Sequence, residues 1–277
     1  MPNFVPYLAL VLISIALLAL SWCRTKDKKL IPFYLASSGL IFLFEYVVFV
    51  LFEAYVYLPG VFKDQYFDNV LGSNISNGFI VPATGVIIAV FDLGFLWVAL
   101  ITLCFLGIEW LFLHLDIYRQ FWWKTIYTGI GLPLQFYVGK WVWQRIRDCG
   151  NGFILRLLIL YFACVSSQGT YLFYYAAIFR LFFYRVGWFN EPSRDHFAFI
   201  TLYIFIVSFF FGLAAVLKTK WFWNTFLIVG LYLTHFLLYK LNILEIKGIW
   251  VIGLLTLSEA VMLFVLKYMN KVLVQKN

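Results

Sequence analysis

Five polar side chains sit inside long apolar runs of this sequence: Glu45, Asp92, Gln168, His235 and Glu259. A charge at the centre of a bilayer costs roughly 2.5–3.5 kcal/mol on insertion scales, so an ionisable group held there needs a partner or a task. Asp92 follows Pro82 by ten residues, about 15 Å of helix rise, which places it near the midplane of a hydrocarbon core roughly 30 Å thick. Gly85, Ala89 and Ala99 share its helix face, and small residues let a neighbouring helix approach. Glu259 lies at similar depth in the last apolar run, and neither acid has a Lys or Arg level with it. The expected state is a protonated carboxyl bonded to Gln168, Ser167 or Thr256. Such groups suit proton- or cation-coupled movement of a small solute; the plainer alternative is hydrogen bonding between helices. Glu45 and His235 occupy the outer halves of their runs, where a Glu–His pair would respond to pH near neutrality. A singly packed histidine is the alternative.

A second group, Glu109, His114, Asp116 and Arg119, invites a metal or acid–base reading. Glu109 and Asp116 are seven residues apart and share a helix face, whereas His114 is turned away by about 140°. No HExxH-type motif adds ligands, so the expectation is a solvated helix end with Asp116 and Arg119 paired at i,i+3. Cys23, Cys104, Cys149 and Cys164 show no CxxC spacing, which gives neither a zinc site nor a disulfide framework. No catalytic residue, metal or cofactor is assigned.

The elements that carry these residues are membrane helices. Of 277 residues, 64% are hydrophobic and only 12% charged, far outside the composition of soluble domains. The expectation is an all-α polytopic transmembrane bundle, a single integral membrane domain over residues 1–277. About seven spans are read: Val5 to Trp22, Leu30 to Phe52, Pro82 to the polar end at His114, Leu157 to Phe179, Phe197 to Leu217, Trp221 to Tyr239 and Gly248 to Leu266. Leu20-Ser21-Trp22-Cys23 has a bulky residue where a cleavage site needs a small one, so the first span is read as uncleaved. Pro59 to Gly78 is read as a polar outer loop. Ile126 to Val138, interrupted by Gly129, Gly131 and Pro133 and flanked by Trp122, Trp123, Trp141 and Trp143, reads as an interfacial or re-entrant piece on the cytoplasmic face. This topology puts 15 of the 21 Lys and Arg residues inside, with the N-terminus outside and the C-terminus and Cys149 cytoplasmic. Lys140, Arg145 and Arg147 then face anionic lipid headgroups, each cation worth roughly 1 kcal/mol near the surface. The bilayer is the expected partner; no soluble module carries the charge, which argues against nucleic acid. No internal repeat is read.

Tyr57-Leu58-Pro59-Gly60, Asp68, Leu71-Gly72, Ser76-Asn77 and Val81-Pro82 form a pattern over about a tenth of the chain. It resembles one in uncharacterised multi-span proteins of Gram-positive spore-forming bacteria. The resemblance implies a multi-pass protein of a bacterial plasma membrane and assigns no activity. Three functions remain open: a coupled small-solute transporter using the midplane carboxylates, a membrane sensor or assembly protein, and a membrane-embedded lipid-modifying enzyme.

Overall fold

The computed structural model describes residues 2–147 and 152–275; Cys149 lies outside the described residues. Nine helices and two short antiparallel ribbons are present among them: α1 Phe4–Thr25, α2 Leu30–Leu51, β1 Tyr55–Tyr57, α3 Gln65–Val90, α4 Phe95–His114, β2 Tyr118–Gln120, α5 Thr125–Arg147, α6 Phe153–Ala177, β3 Phe182–Tyr184, α7 Pro192–Val216, α8 Trp221–Lys240, β4 Leu244–Ile246 and α9 Trp250–Val274. Eight of them, all but α5, are long and apolar enough to cross a membrane. The protein is a multi-pass helical membrane protein. Its contacts group into two compact units, Met1–Gly150 and Asn151–Asn277.

Each unit contains the same arrangement, which the sequence reading missed. A helix leads into a strand, a buried helix follows, a third helix returns to the paired strand, and a fourth closes the unit. In the first unit β1 pairs with β2, Tyr57 opposite Tyr118; in the second β3 pairs with β4, Tyr184 opposite Leu244. The turn after the first strand is built alike in both. Gly60 and Gly187 take positive φ, 72° and 87°, a conformation that only glycine adopts without strain. Asp68 then accepts the backbone N–H groups of Gly60, Val61 and Phe62 at 2.8, 2.7 and 2.9 Å. Asp195 accepts those of Val186, Gly187, Trp188 and Phe189 at 2.7, 2.9, 2.6 and 3.2 Å. The next side chain binds the strand itself: Asn69 Oδ1 accepts Tyr57 N–H at 2.7 Å, and His196 Nδ1 accepts Tyr184 N–H at 3.0 Å. Tyr-x-x-Gly-x-Phe-x-acid-x-x-x-Asp at residues 57–68 and 184–195 is the sequence signature of this brace.

The helix that follows has 26 residues in the first unit and 25 in the second. Its extra residue coincides with π-helical turns at Asn74–Ile80, the form in which one inserted residue is absorbed by a helix. The stretch Pro59 to Gly78 is therefore helix from Gln65 onward rather than a polar outer loop. Asp64 caps it, accepting from Tyr66 and Phe67 N–H at 3.0 and 3.1 Å, and Asp68, Asn69 and Ser73 point inward, buried. Gly72 packs against Tyr57 so closely that a Cβ would stand 2.3 Å from the tyrosine Cβ. Pro82 lies inside this helix and not at its start. Its missing N–H frees the Gly78 carbonyl, which accepts Tyr34 OH at 3.0 Å.

The helix ends also correspond. Asp92 and Lys218, like Asp116 and Asn242, take left-handed φ between 51° and 57°, closing α3, α7, α4 and α8 with turns that reuse the last carbonyls. A lysine from each closing helix caps one such turn: Lys140 Nζ donates to Leu93 O at 2.7 Å, and Lys267 Nζ to Thr219 O at 2.9 Å. Cations are favourable at helix C-termini.

The segment expected to be re-entrant is instead α5, a 23-residue helix with Pro133 inside. It runs the full height of the first unit. Trp123 packs near Phe44 and Tyr55 at the ribbon end, while Lys140 reaches the α3–α4 turn at the other. The tryptophans thus mark opposite ends of one helix, and Arg119, on β2, and Lys124 belong to the ribbon end. Glycines and Gln135 lowered the apparent hydrophobicity, and the helix tolerates them because its polar side lines the unit interior.

Candidate functional site

Within the first unit, α1, α2, α3, α4, α5 and the ribbon enclose a chamber of about 380 Å³. The ribbon supplies its aromatic wall. Residues two apart on a strand share a face, so Tyr55 and Tyr57 both point inward, joined across the pair by Tyr118. Ring centroids are 5.6 Å apart for Tyr55–Tyr57, 4.8 Å for Tyr57–Tyr118 and 5.5 Å for Tyr55–Trp123. Burial pushes the phenols of Tyr55, Tyr57 and Tyr118 well above their usual range, with the nearby Glu45 adding to the shift. They remain neutral donors at any physiological pH.

Two carboxylates face this wall. Glu45, fully inside the bundle on α2, accepts the hydroxyl of Tyr55 and that of Ser73, the latter at 2.8 Å. Glu109 on α4 accepts a hydrogen bond from Gln120 Nε2 at 2.6 Å, and Ser76, Asn77, Thr128 and Gln135 add to the polar lining. The sequence leaves a Glu45–His235 pair open beside a singly packed histidine, and it places Glu109 at a solvated helix end. The structure gives Glu45 partners within its own unit and turns Glu109 into the chamber. Asp116 and Arg119 pair at 3.6 Å, as their spacing predicts, and His114 stacks on Trp110 at 5.6 Å. What sequence reasoning missed was the ribbon: three-residue strands placed inside apparent loops carry no period long enough to read.

In the second unit the corresponding positions hold a hydrogen-bonded cluster. Tyr203 OH donates to Glu259 Oε1 at 2.7 Å, and His235 Nε2 lies 3.2 Å from both that oxygen and the tyrosine hydroxyl. His235 and Glu259 side chains are each 2% exposed. His235 follows Glu109 by 126 positions, the same interval that separates α8 from α4, and Tyr203 follows Ser76, in the π turns, by 127, the interval that separates Asp195 from Asp68. One bundle design thus places chemistry at one internal level in each unit, as a chamber in the first and as a polar cluster in the second. Gln168 Nε2 donates to Cys164 Sγ at 3.0 Å. Glu259 Oε2, His235 Nδ1 and Gln168 Oε1 are buried without a hydrogen-bond partner among the described residues. Buried polar atoms of this kind are the ones that take an internal water or exchange a proton. Glu259 is therefore bonded to Tyr203 and His235 and not to the expected Gln168, which bonds Cys164 instead.

Asp92 does not belong to either group. It sits in the α3–α4 turn with its side chain 74% exposed, 2.9 Å from Lys140 Nζ. The reason for the misplacement is plain: α3 begins at Gln65 and not at Pro82, so Asp92 falls past its end, where Phe91 to Gly94 breaks the helix inside an unbroken hydrophobic run. Exposed ion pairs contribute roughly 0–1 kcal/mol. Asp92→Asn is accordingly expected to change stability by less than about 1 kcal/mol and to leave any solute uptake intact, measured by thermal unfolding and by proteoliposome flux; lost uptake in a folded variant would restore Asp92 as a functional acid. Lys140, one of the three expected lipid contacts, is committed to Leu93 O and Asp92, while Arg145 and Arg147 are exposed at the end of α5.

No family model, no curated protein and no solved structure matches this chain.

Proposed function

We propose that the protein is a plasma-membrane carrier for a small solute, with the first unit's chamber as its binding site. The observation that carries this reading is a chamber of about 380 Å³ within a membrane bundle, lined by two carboxylates and by no Lys, Arg or His. A cavity of that size takes a small organic molecule, and paired acids in an apolar bundle favour proton or cation exchange over a purely structural role. The end opposite the ribbon is cytoplasmic in this reading. There the first unit gathers Arg24, Lys26, Lys28, Lys29, Lys140, Arg145 and Arg147, against Lys63, Arg119 and Lys124 at the ribbon end. The N-terminus is then outside, and Arg145 and Arg147 meet anionic lipid on the inner face.

Gly131 lines the chamber, and a Cβ built there meets nothing within 4 Å. Gly131→Phe therefore adds a ring at the chamber wall without forcing the backbone. The expected outcome is a small molecule that co-purifies with the wild-type chain, detected by native mass spectrometry, and is lost from the variant. That compound should accumulate in proteoliposomes, and about tenfold less with Gly131→Phe. An occupant that is bound but never moved would favour the sensor reading. No occupant and no uptake would end both.

A further inference from the structure

The class of solute follows from the chamber's charge and from where it opens. This deepens the carrier reading and rests on the same site. Glu45 and Glu109 are the only ionisable acids or bases among the lining residues apart from tyrosines. Tyr57, Tyr118 and Trp123 line the same chamber, and the π systems of such rings attract a cation by roughly 0.5–1 kcal/mol when exposed and about 2 or more when dry. The rest of the lining, Leu40, Ile41, Phe105 and Ile108 among it, is apolar. A charged head with an apolar body fits both halves.

The opening is lateral. Phe44 of α2 meets Trp123, two residues before α5, at 5.9 Å, and Phe33 of α2 meets Trp143 of α5 at 5.1 Å. Between those contacts Tyr127, Leu134 and Val138, which line the chamber, are 41%, 65% and 39% exposed. A window in the side of a membrane bundle, edged by aliphatic side chains, admits a ligand from the lipid and not from water. Inorganic cations, which do not dissolve in lipid, are poorly served by it.

We propose that the chamber binds a lipid-soluble organic cation, a tertiary or quaternary ammonium with apolar substituents, its charge between Glu109 and the tyrosine wall. Glu109 is the more available acid, because both oxygens of Glu45 already accept hydroxyls.

The test compares benzyltrimethylammonium with its neutral carbon isostere, neopentylbenzene, on the full purified chain in nanodiscs. Benzyltrimethylammonium is expected to bind at least about tenfold more tightly than the isostere, and Glu109→Gln to remove that advantage while changing isostere affinity less than about twofold. Tyr118→Phe keeps the ring and should bind like the wild type, whereas Tyr118→Leu should weaken the cation severalfold. Should Glu109→Gln fail to fold, the wild-type comparison and the Tyr118 pair decide alone. Equal binding of the two compounds, with Gly131→Phe weakening both, would overturn the cation assignment and keep the chamber as a site for neutral solutes. Binding of neither would overturn the cation assignment and the chamber reading together.

Discussion

Asp195→Ala is expected to destabilise the second unit by about 3–5 kcal/mol, among the largest effects of any single substitution outside a cavity-forming one. The carboxylate is 3% exposed and accepts four consecutive backbone N–H groups. Hydrogen bonds to a charged group are worth roughly 1.5–3 kcal/mol each, less whatever water recovers once the turn opens. Asp195→Asn keeps one acceptor oxygen and should lose about half as much. Asp68→Ala, with three such bonds in the first unit, should follow the same order. Unfolding of the purified chain in mixed micelles measures the loss. Hydrogen exchange at residues 186–189 locates it, since those amides should exchange faster than the rest of the unit. A cost under about 1 kcal/mol with unchanged exchange would mean that the turn holds itself.

The second large effect concerns Glu259. Glu259→Leu leaves the Tyr203 hydroxyl and His235 Nε2 without their shared acceptor in a site only 2% exposed. The two groups lie 3.2 Å apart and can still bond each other, so the expected cost is that of one unmet buried polar group, about 1–3 kcal/mol. Glu259→Gln presents a carbonyl oxygen of nearly the same shape to Tyr203 and should cost no more than about 1 kcal/mol. The amide cannot release a proton, however. In proteoliposomes Glu259→Gln is expected to lose uptake driven by a pH gradient while keeping exchange of solute for solute. If gradient-driven uptake survives in the Gln variant, the Tyr203–His235–Glu259 cluster is a packing device. A double-mutant cycle with His235 then measures how much it contributes to stability.

The helical membrane class was legible because its signal is collective: runs of about 20 apolar residues recur along the chain, and no single position decides the matter. The inward placement of Glu45, Gln168, His235 and Glu259 was legible for the same reason, since polar groups inside such runs must face protein. Partner identity was not. Glu259 meets Tyr203 and His235 from helices 56 and 24 positions away in sequence, and nothing in the local pattern selects them. Asp92 was misread because a left-handed turn inside an apolar run leaves hydropathy unbroken; the equivalent turn at Lys218 was seen only because two lysines mark it. The stretch Pro59 to Gly78 was misread in the opposite sense. Its polar residues looked solvent-facing, yet Asp68, Asn69 and Ser73 point inward, Asp68 bonding the turn after β1, Asn69 the ribbon and Ser73 Glu45. Both errors hid the repeat, which lies in turn geometry more than in residue identity.

The ribbons have a consequence for how the chain enters the membrane. β1 leaves α2 at Tyr55 and finds its partner only at Tyr118, after two further helices have been made. Until then its backbone donors and acceptors wait at the membrane surface. If α4 inserted in the wrong orientation, β2 would be delivered to the opposite surface, and three residue pairs of ladder would be lost along with the chamber's aromatic wall. Correct closure of the ribbon thus acts as a proofreading step on the orientation of a helix whose own flanks, Asp92 at one end and His114 at the other, carry little topological charge.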